Sequence, residues 1–297
     1  MPMRKRSKIA DFCITMFFVF AMLFGIAMFC YPAFSSWWNE KAQTKVIESY
    51  NKAVGDLGSD QMDAIFARAA DYNKALDKLP DPFTQYDQIP NYDAILDITG
   101  TGIIGYIDIP KLNVHLPVYH GTSPEVLNIA VGHLQGTSLP IGGAGTHAVI
   151  SAHSGLPSAK LFTGLDQLTE DDRFSLSVLD EVLTYEVEQI ETVLPYEMDS
   201  LHTERGRDLI TLMTCTPYGI NTHRLLVHAH RVDDVPAEET ERNIRIPADA
   251  VAMENITALP FILAPPLVLL VIYWAVSGIR KQKRYISSYT SRKMLEE

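Results

Sequence analysis

The sequence predicts a mainly β domain, folded as a closed barrel or a sandwich, that is preceded by helices and flanked by two membrane-spanning segments. Three observations predict this class. Residues 101–232 contain many short apolar segments and few helical ones, and sheets of such strands remove their edges by closing. Uncharged runs occupy residues 12–30 and 256–279. Between them, residues 35–255 hold 15 Lys and Arg against 33 Asp and Glu, whereas basic residues flank the outer end of each run.

The overall composition excludes several classes of protein. The 297 residues are 47% apolar and 21% charged, which fits a folded chain of one or two domains. A net charge of −11 argues against nucleic-acid binding. Three cysteines without a CxxC pair are too few for a disulfide framework or a zinc knuckle. Nothing in the sequence indicates a metal or an organic cofactor.

The first uncharged run follows a basic tail at residues 1–11 and predicts a transmembrane helix over residues 12–31. A helix needs about 20 apolar residues to cross a bilayer. A cleaved signal peptide is the alternative. The run exceeds the roughly 7–15 residues of a signal-peptide apolar core, so we favour an uncleaved anchor.

The second run, residues 256–279, predicts another transmembrane helix, followed by a basic tail at 280–297. Prolines at 260, 265 and 266 could kink this helix or delay its start. A buried core helix is the alternative, but such a helix is rarely uncharged on every face. The basic flanks place both termini in the cytoplasm and the acidic middle outside the cell.

Residues 35–100 form an N-terminal segment of helices and loop. Apolar residues at helical spacing over 40–80 predict two helices, which Gly55 and Gly58 separate. A proline-containing stretch at 80–100 is predicted to be irregular.

Residues 101–232 carry the β pattern, and an acidic linker at 233–255 follows it. Pro110 and Pro117 are predicted to break the first strands. The remaining predictions are a helix at 124–134 capped by Ser123, a strand at 146–152, a helix at 159–168, a hairpin of 173–179 and 183–193 turning at Asp180-Glu181, and strands at 208–215 and 224–232.

Three side chains at strand ends could form a reactive site. Cys215 is the only cysteine of the acidic middle, since Cys13 and Cys30 lie in the first run. A thiolate is a nucleophile that a nearby base or cation activates. His153 can exchange protons near neutral pH, and Arg224 offers several donors to an oxyanion. Together these groups suit acyl transfer through a thioester, which an amine or water can resolve.

Other histidines compete for these roles. His223 adjoins Arg224 and is an alternative to His153. His228 and His230 are two residues apart in a strand and could indicate a metal site. No third ligand is spaced to help them, so we interpret both as ordinary strand residues.

The segments around these residues resemble the sortases, the cysteine transpeptidases of Gram-positive surfaces. TLMTCTPYGINTHRLLV resembles the family's cysteine signature with its downstream arginine, SAHSG its histidine segment, and GYIDIPKLNVHLPVYHG its first strands. The resemblance covers roughly residues 100–232. It implies an eight-stranded barrel, with Cys215 as the nucleophile, His153 as the acid/base and Arg224 as the group that positions substrate or oxyanion.

Asp81-Pro82-Phe83 resembles the lid motif of class C sortases, the pilin polymerases, and the second span is similar to theirs. This resemblance implies that Asp81 pairs with Arg224 and that Phe83 covers Cys215. Ala152 and Ser154 depart from the residues that often flank the class C histidine.

The resemblance also implies a substrate and partners. Proteins with an LPxTG-like signal would be cleaved between Thr and Gly, and a pilin lysine would accept the acyl group. We expect a monomeric ectodomain outside the cell, membrane lipid as a partner through both spans, and no nucleic acid. Alternatives are a housekeeping sortase, which would use a cell-wall amine, a thiol protease, and a surface adhesin. No LPxTG-like motif precedes the second span, which counts against the adhesin.

Overall fold

The computed structural model describes residues 8–156 and 159–232, together with Pro266 and Val268. The chain divides into two compact units at the Phe34–Ser35 boundary. Two regions predicted from sequence, the linker at 233–255 and the tail at 280–297, lie outside the described residues. The second predicted span, 256–279, does so as well except for Pro266 and Val268.

Helix α1 spans Lys8–Gly55 and contains Pro32. From Met16 onward it is the one described helix that is long and apolar enough to cross a membrane, with a mean hydropathy of 2.1 in a window that is entirely unburied. Length and composition alone support this conclusion. No break in the helix marks the predicted boundary between residues 31 and 35.

Helix α2 (Ser59–Leu76) packs on the barrel through an apolar face of Ile65, Ala69, Tyr72 and Leu76. These residues recur at intervals of three and four, as one face of a helix requires. The predicted separation of α1 from α2 near Gly55 and Gly58 is confirmed.

Two buried polar side chains of the helices fix them to the barrel. Asn73 of α2 donates to the Leu139 carbonyl (3.0 Å) and accepts the Leu139 N–H (2.7 Å). The Tyr50 hydroxyl of α1 donates to the Ile104 carbonyl (3.1 Å) and accepts the Leu179 N–H (2.8 Å). Burial raises the pKa of Tyr50 to about 12, so the ring remains a neutral donor.

Eight strands form one closed barrel, which confirms the predicted fold and excludes the sandwich. The strands are β1 (Ile103–Ile109), β2 (Val114–His120), β3 (Val131–His133), β4 (Thr146–Ser151), β5 (Arg173–Val178), β6 (Glu181–Val193), β7 (Asp208–Thr216) and β8 (His223–Arg231). Their order around the barrel is β1-β2-β3-β4-β7-β8-β6-β5. The pairs β2–β3 and β4–β7 are parallel, and the other neighbouring pairs are antiparallel.

Pro117 does not break a strand as predicted, because it lies inside β2 opposite Tyr106 of β1. On its other side, β2 pairs with β3 only from Val118 to His120. A proline lacks a donor and is tolerated where a strand has no partner on one side. Pro110 does end β1, and it opens a short 3₁₀ turn.

Two predicted helices are much shorter than expected. The helix at 124–134 is only a single turn, Pro124–Leu127, before the chain enters β3, and Ser123 precedes it without making a side-chain cap. The helix at 159–168 is a series of turns that includes one 3₁₀ turn. Leu161 and Gly164 adopt positive φ angles of 43° and 79°, which a right-handed helix cannot contain.

The predicted hairpin is present, but it turns one residue earlier than expected. Val178 pairs with Glu181, so Leu179 and Asp180 form the two-residue loop. Leu179 has a φ of 52°, and its N–H is held by the Tyr50 hydroxyl. A contact distant in sequence therefore stabilises the left-handed turn.

His133 is buried in β3 with both ring nitrogens bonded. Nε2 faces the Ser138 carbonyl (2.8 Å) and therefore donates, so Nδ1 accepts the Tyr92 hydroxyl (2.7 Å). Burial lowers the pKa of His133 to about 4, and the ring is neutral at physiological pH.

We expect His133 to make the fold sensitive to acid. An unfolded histidine has a pKa near 6.5, so between about pH 6.5 and 4 the unfolded chain binds a proton that the folded chain does not. The free energy of unfolding should therefore fall by about 3 kcal/mol across this window from His133 alone. Denaturant unfolding at several pH values measures the slope. His133→Gln should flatten it, and the half-buried His223→Gln should not; equal slopes in both variants would contradict the prediction.

Candidate active site

Cys215 and Arg224 lie directly opposite each other in the β7–β8 hairpin. Directly opposed residues of an antiparallel pair share a face of the sheet, with their Cβ atoms about 5 Å apart. Both side chains are half-buried. The Arg224 guanidinium donates through Nη1 to the carbonyls of His223 (3.1 Å) and Asn221 (3.4 Å). A guanidinium has five N–H donors, so others are free to reach a substrate beside the thiol.

His153 reaches the same end of the barrel from the other side of β7. Strands β4 and β7 are parallel, with Ser151 beside Met213. The Ala152 N–H continues this ladder to the Met213 carbonyl (3.1 Å). Continued by two residues beyond Ser151, the same register would bring His153 beside Cys215. No hydrogen bond joins the half-buried imidazole to the thiol, as is common before a substrate tightens a site.

The predicted alternative, His223, is less well placed than His153. It directly precedes Arg224, and successive side chains of a strand point to opposite faces. Its Nδ1 lies 2.9 Å from the Thr222 hydroxyl. The sequence-predicted set that the barrel brings together is thus Cys215, His153 and Arg224.

The lid residues lie near this site but not in the predicted contacts. Asp81 precedes the one-turn helix Pro82–Gln85, and its carboxylate accepts the Thr84 hydroxyl (2.6 Å). Among the described residues, the ion pair expected between Asp81 and Arg224 is not formed. The partner of the Asp81 carboxylate is thus a side chain three residues away in the sequence.

Phe83 packs beside the row of side chains that carries Cys215 and Arg224. Its ring lies 5.0 Å from the His202 ring and joins an apolar cluster that includes Leu226 and Met213. Met213 lies two residues before Cys215 in β7, and Leu226 lies two residues after Arg224 in β8. The two therefore form the next row of the same sheet face.

A buried polar network on this face was not predicted from the sequence. His147 Nδ1 faces the His202 carbonyl (2.9 Å), and its Nε2 lies 2.7 Å from the Thr211 hydroxyl. Thr211 also contacts His228 Nδ1 (2.8 Å), and His228 Nε2 faces Glu191 (3.1 Å). The chain of contacts crosses four strands, so only the register of the barrel reveals it.

The donors and acceptors of this network can be assigned starting from His147, which faces a backbone carbonyl. His147 must donate to a carbonyl, and burial lowers its pKa, so its second nitrogen accepts the Thr211 proton. The Thr211 oxygen can then accept from His228 Nδ1, and His228 Nε2 faces the Glu191 carboxylate. A hydrogen bond from Ser200 and the contact with His228 lower the pKa of Glu191.

His228 and His230 have carboxylate partners rather than a metal-ligand arrangement. His228 faces Glu191, and His230 Nδ1 lies 3.0 Å from Glu188. In residues 8–156 and 159–232, no group of three or more His, Cys, Asp or Glu side chains could hold a metal ion.

Three adjacent strands of the barrel, β4, β7 and β8, carry an imidazole, a thiol and a guanidinium at or just past their ends. The fold and the site together define a class of β-barrel proteins with a cysteine-centred site. Comparison with known proteins gives the family. Residues 107–232 match the family model of the sortase domain. The crystal structure of sortase C1 from Streptococcus agalactiae is similar, with a TM-score of 0.59 and 43% sequence identity. The match covers 64% of this chain and 100% of that one. The chain belongs to the sortase family.

Other relatives agree with this assignment. Sortase C-1 from Streptococcus pneumoniae is 42% identical, covers 64% of this chain and 100% of its own, and has a TM-score of 0.58. Sortase A of Streptococcus agalactiae serotype III is 30% identical over 130 residues, which are 43% of this chain. The match spans about half, 52%, of that relative's length. The similar solved structures are class C sortases.

Proposed function

We propose that this protein is a membrane-anchored cysteine transpeptidase that joins pilin subunits. The observation that carries the proposal is the pairing of Cys215 with Arg224 across β7 and β8, with His153 at the end of the adjacent strand β4. The neighbouring structures add support for the class, since one of them is titled a pilus-related sortase C of group B Streptococcus and is 40% identical to this chain.

The proposed reaction has two steps. The Cys215 thiolate attacks the threonine carbonyl carbon of an LPxTG-like signal, a thioester forms, and the Thr–Gly bond breaks as His153 protonates the leaving glycine amine. A pilin lysine amine then gives a proton to His153 and attacks the thioester. An isopeptide bond forms and the thiolate is regenerated. The Arg224 guanidinium stabilises the oxyanion in both steps.

Anchoring and orientation are part of the proposal. The apolar helix from Met16 would hold the protein in the membrane, with both termini in the cytoplasm and the barrel on the extracellular side. The basic flanks of the two runs in the sequence support this orientation.

Product analysis tests the proposed activity. The full-length protein in detergent is incubated with a protein bearing an LPxTG-like signal and a lysine-bearing pilin domain. A covalent product joined through threonine and lysine is expected. Threonine-ended hydrolysis product alone, with pilin present, would favour the thiol protease. Joining only to a cell-wall-type amine would favour the housekeeping sortase.

We further propose that the segment Asp81-Pro82-Phe83 is a lid that docks on Gly136. A Cβ atom at Gly136 would lie 2.8 Å from the Pro82 carbonyl oxygen and 2.9 Å from the Phe83 Cα. Backbone atoms cannot yield as a flexible side chain does, so any side chain at position 136 would displace the segment. Phe83 would leave the apolar cluster beside the thiol.

Gly136→Ala is therefore expected to speed the labelling of Cys215 by a thiol reagent about tenfold, because a clash of over 1 kcal/mol shifts the lid equilibrium by that factor. Gly145→Ala is the matched control. Gly145 has a φ of 84°, close to the 88° of Gly136, but nothing lies within 4 Å of its Cβ position. Equal labelling rates in the two variants, measured by peptide mapping at Cys215, would contradict the lid.

A further inference from the structure

We infer that Thr214 is a positioning residue that holds the acid/base His153 beside the nucleophile Cys215. The inference rests on the proposed function and concerns the same site. Thr214 directly precedes Cys215 in β7, and its hydroxyl donates to the Ala152 carbonyl at 2.8 Å. Ala152 in turn directly precedes His153. One side chain thus joins the two segments that carry the reacting groups.

This hydrogen bond lies just past the end of strand β4, immediately before His153. Strand β4 ends at Ser151, so His153 lies beyond the regular ladder between β4 and β7. Past that end, the Ala152 N–H bonds to the Met213 carbonyl and the Ala152 carbonyl accepts the Thr214 hydroxyl. These two contacts extend the register of the sheet by one residue. Without the hydroxyl, one of the two contacts that fix the direction of the chain into His153 is lost.

The hydrogen bond between Thr214 and Ala152 is buried. Thr214 and Ala152 are each 3% exposed, so water cannot replace the hydroxyl at the carbonyl. Thr214 points away from the face of Cys215, since neighbouring side chains alternate along a strand. It therefore acts on the reaction through His153 and does not contact substrate itself.

The rest of the histidine segment is fixed from the other side. The His153 carbonyl accepts the N–H of Phe162, a fully buried residue (3.1 Å). Gly155, at a φ of 133°, has the Thr163 side chain and the Tyr218 ring close to where a Cβ would lie. These contacts hold the segment after His153, and the Thr214 hydroxyl holds the residue before it.

Thr214→Val tests the inference because valine keeps the shape and removes the donor. We expect kcat for peptide joining to fall about 10- to 100-fold, as misplacement of a catalytic group by about 1 Å does, with KM within about twofold. Thr214→Ser should restore kcat to within about threefold of the original protein. Thr211→Val is the matched control, since it removes a fully buried hydroxyl from the same strand that contacts His147 and His228 instead. It should lose stability and keep kcat.

A second readout does not depend on peptide joining. The rate of Cys215 alkylation by iodoacetamide is measured against pH, and the inflection that His153→Ala removes reports the influence of the imidazole on the thiol. Thr214→Val should also remove this inflection, and Thr214→Ser should keep it. Rates are normalised to titrated thiol, so a partly folded variant still gives a result. A normal inflection in Thr214→Val, or equal losses of kcat in Thr214→Val and Thr211→Val, would overturn the inference. If the alkylation profiles are as expected but no variant joins peptides, the proposed function would be overturned and the positioning role of Thr214 would stand.

Discussion

Replacing Cys215 with alanine is expected to lower the rate of peptide joining by at least about 10³-fold, because no other group in the site can form the acyl intermediate. The Arg224 guanidinium is not a nucleophile, and the proposed role of His153 is proton transfer. The fold should survive the change. Cys215 is half-buried at the end of β7, and surface substitutions away from special contacts usually change stability by less than about 0.5–1 kcal/mol.

A control separates loss of the nucleophile from general damage. Cys30 is another half-buried cysteine, located in α1. Cys30→Ala should keep the joining activity. Full-length protein in detergent is assayed for joined product, and circular dichroism checks the fold of both variants. Joining at near the original rate by Cys215→Ala would reject the proposed mechanism.

Arg224→Ala is expected to lower kcat about 10²- to 10³-fold, since removal of a donor to a developing oxyanion costs that much in other acyl-transfer sites. Arg224→Lys should restore little. A lysine ammonium has no planar fork and cannot present two parallel donors while it also bonds the carbonyls of Asn221 and His223.

The control for Arg224 is Arg173→Ala on β5, which is separated from β8 by β6 and pairs with Glu186. Steady-state kinetics with a sorting-signal peptide and a lysine-bearing acceptor give kcat and KM for each variant. A rise in KM with kcat unchanged would show that Arg224 binds substrate without stabilising the transition state.

The strand pattern, and the positions of the three candidate site residues at strand ends, could be predicted from the sequence because each is a local signal. Apolar runs ending at turns indicate strands, and Cys215, His153 and Arg224 each lie at such an end. The barrel then brings the three ends together, because β4, β7 and β8 are neighbours in its sheet.

The predictions that failed depend on contacts distant in sequence. The left-handed backbone at Leu161 interrupts a segment whose composition favours a helix, and the missing β3 partner lets Pro117 remain within β2. The Asp81–Arg224 ion pair was implied by resemblance alone, and the nearby Thr84 hydroxyl takes the carboxylate instead. The polar network of His147, Thr211, His228 and Glu191 spans four strands, and no spacing in the sequence indicates it.

The acyl-enzyme on Cys215 can be trapped and located in the chain. The full-length protein is mixed with a sorting-signal peptide in the absence of any acceptor amine, quenched in acid and mapped by mass spectrometry. We predict that the signal peptide, truncated after threonine, is attached to Cys215 through a bond that hydroxylamine cleaves. Attachment to another residue, or joined product formed without any adduct at Cys215, would contradict the account.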